Sequence, residues 1–213
     1  MADLEFFFDP VCPWAWVTSR WVTEVQGLRQ YEVTWRFISL RVLNEHRIGD
    51  DPDYDESWQQ SHFAGVYAHR VCDEVRLRFG NDSVAALYTA TGTAFHLGKR
   101  RPEINADPVV FMGEMLAVAG LPTDLAGHAL DESHDAYVRA DTELVLSRTG
   151  RGVGTPILTY RPGQPNEASL FGPVIPRTPR GDEALTLWDA VETIASSGVA
   201  EIKRSLRGDL RFD

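Results

Sequence analysis

Leu4-Glu5-Phe6-Phe7-Phe8-Asp9-Pro10-Val11-Cys12-Pro13-Trp14-Ala15-Trp16-Val17 passes from an aromatic, apolar run through an Asp-Pro stop into a helix start. Leu4 to Phe8 suits a strand buried on both faces, because successive side chains of a strand point to opposite sides and here nearly all are apolar. Pro13 fits the first position of a helix, where its fixed φ is already helical and its missing N–H has no intrahelical partner to lose. From there Trp14, Val17, Trp21, Val25 and Leu28 recur at helical spacing, with Thr18, Arg20, Thr23 and Glu24 elsewhere on the helix. Glu32 to Leu40 returns to strand character through Val33, Trp35 and Phe37. A strand, a helix and a strand in this order demand a parallel pair and a right-handed crossover.

The pattern then changes. Ser57 to Phe79, Ser83 to Leu97, Asp107 to Ala119 and Ser133 to Ser147 are helical in pattern and punctuated by Gly80, Gly98, Gly120 and Gly150. Asp107-Pro108 is a start signal, an N-cap side chain followed by proline, and Gly120 is the matching stop. After Gly154-Thr155-Pro156, strand character resumes in Ile157 to Tyr160, crosses a Pro/Gly turn and continues in Ala168 to Phe171. A last helix begins near Asp182, with Ala184, Leu187, Trp188, Val191 and Ile194 on one face and acidic residues in its first turn. The order is therefore βαβ, an all-helical insertion, then ββα. The expected division is 1–43 with 151–213 as one domain and 44–150 as the insertion, and the tail beyond Gly198 reads as a surface segment.

With 213 residues, 43% of them hydrophobic, the chain can bury a full core. A net charge of −10 opposes nucleic acid and anionic membranes, because the mean field of the protein repels both. The first residues carry no basic-then-apolar leader, and no later segment approaches a membrane span, so a cytoplasmic location is expected. In that reducing setting a structural disulfide between Cys12 and Cys72 is not the default, and a cysteine in a special position reads as reactive.

Cys12 has such a position. Directly before Pro13 it occupies the N-cap, where its sulfur can face the N–H groups of Trp14 and Ala15. A thiolate there is stabilised by those donors and by the positive end of the helix dipole, which makes Cys12 the expected nucleophile. An ionised Asp9 near the sulfur has the opposite effect.

Phe7-Phe8-Asp9-Pro10-Val11-Cys12-Pro13-Trp14-Ala15-Trp16 resembles the active-site stretch of DsbA-like thioredoxin-fold proteins, in which Cys-Pro-Trp-Cys follows a Phe-Asp-Pro lead, and is most similar to the actinobacterial mycothiol-dependent nitroreductase family. The likeness extends through Leu43-Asn44-Glu45, Leu87-Tyr88-Thr89-Ala90 with His96, Gly154-Thr155-Pro156, Phe171-Gly172-Pro173-Val174 and Pro179-Arg180-Gly181 before Leu187-Trp188-Asp189. It implies an α/β thioredoxin fold with the helical insertion. It further implies a cis bond before Pro156, packed against Cys12, with the backbone of Thr155 open to an extended amide, as in strand addition. Mycothiol, or a related low-molecular-weight thiol, is the implied cosubstrate. Pro13, Trp14, Asn44, Tyr54, Thr155 and Pro156 are its implied contacts, and Tyr88 and His96 are candidates for the second-substrate pocket. Read without the resemblance, Asn44 is a loop cap, Tyr54 a surface side chain, and Tyr88 and His96 helix packing.

One departure matters more than the matches. Ala15 stands where the second motif cysteine is expected, so an internal attack that releases a mixed disulfide at Cys12 is absent. An external thiol must resolve Cys12, and disulfide-forming oxidase activity is disfavoured.

Other signals fail on inspection. Asp51, Asp53 and Asp55 imitate a calcium loop, but Glu56 and His62 stand where Gly and Glu are needed. Gly92 to Lys99 has the wrong spacing for a phosphate loop. His62, His69 and Cys72 share neighbouring helical turns without further ligands at metal spacing, and read as surface or half-buried side chains. Neither a metal nor a nucleotide is expected. The first reading of function is a thiol-dependent oxidoreductase or transferase acting through Cys12 on a small electrophilic, nitro or disulfide substrate. Two others compete: a kappa-class-like transferase or isomerase in which Cys12 only orients the cofactor thiol, and a non-catalytic binding module.

Overall fold

The computed structural model describes residues 2–212. Strands β1 (Leu4–Phe8), β2 (Val33–Phe37), β3 (Ile157–Tyr160) and β4 (Ala168–Phe171) form one sheet in the order β2-β1-β3-β4. Every position of β1 is buried, as its composition demands. Glu5 is the charged exception in that run, and Arg36 and Arg148 hold its two oxygens at 2.6 and 2.5 Å. β3 runs antiparallel to both neighbours, with Phe7 opposite Ile157 and Ile157 opposite Phe171.

Helix α1 (Pro13–Arg29) follows β1 and packs on α8 (Gly181–Ser196). Trp21 and Trp188 meet at 5.2 Å between ring centroids, Tyr31 and Tyr160 lie edge-on to Trp188, and Trp21 Nε1 donates to Ala184 O at 2.9 Å. The buried stripe of α1 is wider than expected. Leu28 is exposed and Trp14 half-buried, while Thr18 is buried and donates to Pro173 O at 2.8 Å. Periodicity finds an apolar stripe but not a polar residue enclosed by a bond to a neighbouring loop.

β2 is shorter than Glu32 to Leu40 because the chain turns at Ser39. The Ser39 hydroxyl accepts from Val42 N and caps a single turn, α2 (Leu40–Leu43). The helices that follow are α3 (Glu56–Phe79), α4 (Asn81–Gly92), α5 (Arg101–Ala106), α6 (Pro108–Val118) and α7 (Asp135–Thr149). Asp55, the third member of the acidic loop, N-caps α3, and Asp107 N-caps α6 through Val109 N and Val110 N. The expected Ser83 to Leu97 helix divides into α4 and a wider π turn at 93–97, and 123–130 forms 3₁₀ turns.

The chain forms two compact units. One contains residues up to Phe8, Cys12–Arg36 and the chain from Val145 onward; the other contains Asp9–Val11 and Phe37–Leu144. The first holds the sheet with α1 and α8. The core of the second gathers α3, α4 and α6 around Val71, Leu87, Tyr88, Phe111 and Leu116, with Phe95 stacked on Phe111 at 5.4 Å. Among the described residues no helix is long and apolar enough to cross a membrane.

Candidate active site at Cys12

The register of β1 and β3 builds the site. The strands are antiparallel and Phe7 faces Ile157, so the residues leaving β1 lie beside those entering β3. Those residues are Cys12 on one side and Thr155-Pro156 on the other, and the Thr155-Pro156 bond is cis. A second cis bond, Gly172-Pro173, was not anticipated from the sequence. Thr155 is buried and its hydroxyl donates to Phe7 O at 3.2 Å, which ties the turn to the end of β1.

Cys12 is the N-cap of α1, as the proline after it requires. Its backbone is extended, and its sulfur accepts from Ala15 N at 3.4 Å. The same sulfur lies 3.4 Å from Thr155 O, to which the thiol S–H donates. These two contacts favour opposite protonation states: the amide donor suits a thiolate and the carbonyl acceptor suits a thiol. Trp14 stands half-buried beside the cysteine in sequence, with the Arg207 guanidinium 5.2 Å from its ring centroid. The C-terminal tail is exposed, as expected, but it is anchored: Arg211 N donates to Pro176 O at 2.7 Å.

In the other unit each candidate has partners of its own. The Asn44 amide donates to Leu40 O at 2.8 Å and accepts from Arg47 at 3.1 Å, so it caps the end of α2. Tyr54 is buried, contrary to a surface reading, with its hydroxyl 2.7 Å from His62 Nδ1 and Arg47 over its ring. Tyr88 is completely enclosed. His96 Nε2 lies 2.9 Å from Pro10 O, and burial, followed by the charge of Arg101, holds its pKa down at about 4 against the pull of that carbonyl. A neutral ring at pH 7 thus donates through Nε2. Asp9 is buried, with one oxygen accepting from Val11 N at 3.0 Å and the other from Leu40 N at 2.7 Å, so it fixes a turn.

His62, His69 and Cys72 are buried, not surface or half-buried groups. Burial, reinforced by Asp73, pushes the Cys72 thiol up to about 12, so at neutral pH it supplies no nucleophile to resolve a disulfide. A cavity of about 300 Å³ is lined by Val42, Phe63, Val66 and Val138 together with Arg41 and Arg139; Tyr88 and His96 do not line it.

A family model described as Rv2466c-like, mycothiol-dependent nitroreductase Rv2466c, matches residues 11–204. The uncharacterized protein Rv2286c of Mycobacterium tuberculosis is 32% identical over 197 residues, which span 92% of this chain and 78% of that protein. Among solved structures, the probable DsbA oxidoreductase SCO1869 from Streptomyces coelicolor superposes with a TM-score of 0.55 at 16% identity, covering 96% of this chain and 94% of that one. The cytosolic disulfide reductase DsbM from Pseudomonas aeruginosa, solved with GSH, gives 0.54 at 17% identity, covering 78% of this chain and 88% of its own. At such identities the structural likeness establishes the fold: DsbA-like, thioredoxin-like α/β with a helical insertion.

Proposed function

The chain belongs to the Rv2466c-like family of mycothiol-dependent nitroreductases, a family of thiol-dependent oxidoreductases, and from that premise we propose that Cys12 uses mycothiol to reduce a small electrophilic, nitro or disulfide substrate. The observation that carries the reading is the sulfur at the head of α1, between the Ala15 N–H and the carbonyl that precedes the cis proline.

The residues fit a thiol that carries an amide. An incoming amide N–H that bonds to Thr155 O takes over the acceptor of the Cys12 proton, and the Ala15 N–H remains to stabilise the sulfur once the proton leaves. For a nitro substrate, the Cys12 thiol and one mycothiol thiol together give up two electrons and two protons. Nitro becomes nitroso and water, and a mixed disulfide forms at Cys12. Because Ala15 offers no second sulfur, another mycothiol attacks the mycothiol sulfur of that bond, releasing Cys12 as thiolate and mycothiol disulfide as product. Trp14 and Pro13 flank the sulfur in this reading, Asn44 and Tyr54 are the candidates for the polar parts of the thiol, and Tyr88 and His96 for the second substrate.

One observation favours a second reading. The S–H donated to Thr155 O suits a cysteine that stays protonated and orients the cosubstrate sulfur, as in kappa-class-like transferases. Cys12→Ser separates the two, since serine keeps the donor but cannot form a disulfide. Covalent chemistry requires a loss of mycothiol-dependent nitroreduction of about a thousandfold or more, together with a Cys12–mycothiol adduct in the intact mass of the wild type. Retained turnover in Cys12→Ser establishes the orienting role. A wild-type protein that forms no adduct with mycothiol disulfide and reduces no nitro compound with mycothiol overturns both, and leaves the binding module.

A further inference from the structure

The strongest group of chemistry-bearing side chains unused by the thiol reaction lies where α3 meets the turns at 123–134. His128, His134 and Glu74 each offer one ligand atom there, all within 4.8 Å of one another. His128 Nδ1 is 3.1 Å from His134 Nε2. Asp131 Oδ2 is 3.7 Å from the first and 3.9 Å from the second, and Glu74 Oε2 is 3.8 Å from His134 Nε2. Ligands arranged tetrahedrally around zinc at about 2.0–2.1 Å stand roughly 3.3 Å apart, and the four separations above, from 3.1 to 3.9 Å, lie around that value.

The supporting bonds set the chemistry. His134 Nδ1 lies 2.8 Å from Asp73 Oδ2, and Arg76 holds the other Asp73 oxygen at 2.6 Å. A carboxylate partner makes Nδ1 the protonated nitrogen and turns the Nε2 lone pair toward the cluster, the orientation that carboxylate–histidine–metal sites use. Two imidazole nitrogens 3.1 Å apart repel unless a proton or a metal ion lies between them. If His128 Nδ1–H supplies that proton in a neutral ring, its Nε2 lone pair faces Glu74 Oε1 at 3.6 Å, which is unfavourable. A divalent cation satisfies both nitrogens and the carboxylates together. Glu74 Oε1 is taken by Arg78 and Asp131 Oδ1 by Ser133 N, so the oxygens nearest His134, Oε2 and Oδ2, are the ones positioned to ligate.

We propose that His128 Nδ1, His134 Nε2, Glu74 and Asp131 bind a divalent transition-metal ion of the zinc class, which clips the 123–134 turns to α3. This departs from the expectation of no metal. Two imidazoles disfavour calcium and magnesium, and two oxygens complete a set suited to zinc or cobalt. Glu74 and His134 are buried, whereas Asp131 is exposed and opens the site to an entering ion. In sequence the signal is His128-x-x-Asp131-x-x-His134, with Glu74 supplied from α3.

The test is titration of the metal-stripped full chain with Co²⁺. The expected result is one equivalent bound with the visible spectrum of a tetrahedral nitrogen and oxygen site, without sulfur-to-cobalt charge transfer, displaced by Zn²⁺, which also raises the melting temperature. His128→Gln and Asp131→Asn, at the more exposed ligands, are expected to weaken binding by about 100-fold or more while keeping the native circular dichroism. Absence of uptake at excess Co²⁺, equal uptake by both variants, or a sulfur charge-transfer band that reports Cys12 in place of this cluster overturns the proposal.

Discussion

At the scale of single residues, the two cysteines differ in setting: one heads a helix and the other is enclosed within one. Cys12 caps a helix with an amide donor on its sulfur, whereas Cys72 lies inside α3 with its thiol pushed up to about 12. In the proposed cycle, the residue that decides how Cys12 is released is Ala15, whose backbone N–H touches the sulfur. Ala15→Cys is therefore expected to close a disulfide with Cys12 on mild oxidation, seen as the loss of two hydrogens in the intact mass and of two alkylation sites relative to the reduced variant. The same variant is expected to expel bound mycothiol without added thiol. Persistence of the mycothiol adduct in Ala15→Cys contradicts that account of release. Cys12 and Pro13 are legible in the sequence because their chemistry is local: a proline fixes the helix start, and the cap follows from it, whereas the cis bond before Pro156 follows from the family resemblance and from nothing in the dipeptide itself. The partners of Tyr54 are not legible there. Its burial and its bond to His62 arise only when the loop folds back onto α3.

At the scale of elements, N-caps and strands are readable, and short irregular turns are not. Asp107-Pro108 marks α6 within a residue because the cap is a side-chain bond to nearby N–H groups. The single turn α2 has no period to detect, and the π turn at 93–97 continues the apolar pattern of α4 while changing its bonding. Nor does sequence show close approach between segments. A Cβ at Gly65 of α3 would lie 2.5 Å from Asp9 Oδ1, while both Asp9 oxygens accept backbone N–H groups. Alanine ordinarily strengthens a helix by up to about 1 kcal/mol relative to glycine. Gly65→Ala is expected to do the reverse here, destabilising the protein by about 1–3 kcal/mol through overpacking, as read from urea denaturation. An unchanged or raised midpoint shows that Asp9 can move aside.

At the scale of the whole molecule, acid is the condition most informative about its buried histidines. In the unfolded chain a histidine titrates near 6.5, but burial holds His96 at about 4 and also lowers His62. Between those values the unfolded chain binds more protons than the folded one, so stability is fully present above pH 6.5 and is lost as the pH falls toward 4. For His96 alone the loss between pH 7 and pH 5 is about 2 kcal/mol. Urea midpoints at the two pH values check this in the wild type, and His96→Gln is expected to flatten the difference. An equally steep fall in that variant assigns the acid sensitivity to other groups.

The antiparallel ladder of β1 and β3 has a wider consequence for how such a molecule can change over generations. Because Phe7 is matched to Ile157, the sulfur and the peptide bond beside it are held together by a few paired strand residues, however much chain intervenes between them. The position of that pair thus depends on the ladder more than on the length of the intervening chain. A slip of one residue in the short ladder would turn every side chain of the strand to its other face and disperse the pair at once. A change in the excursion is therefore expected to disturb this pair less than a change of register in the ladder.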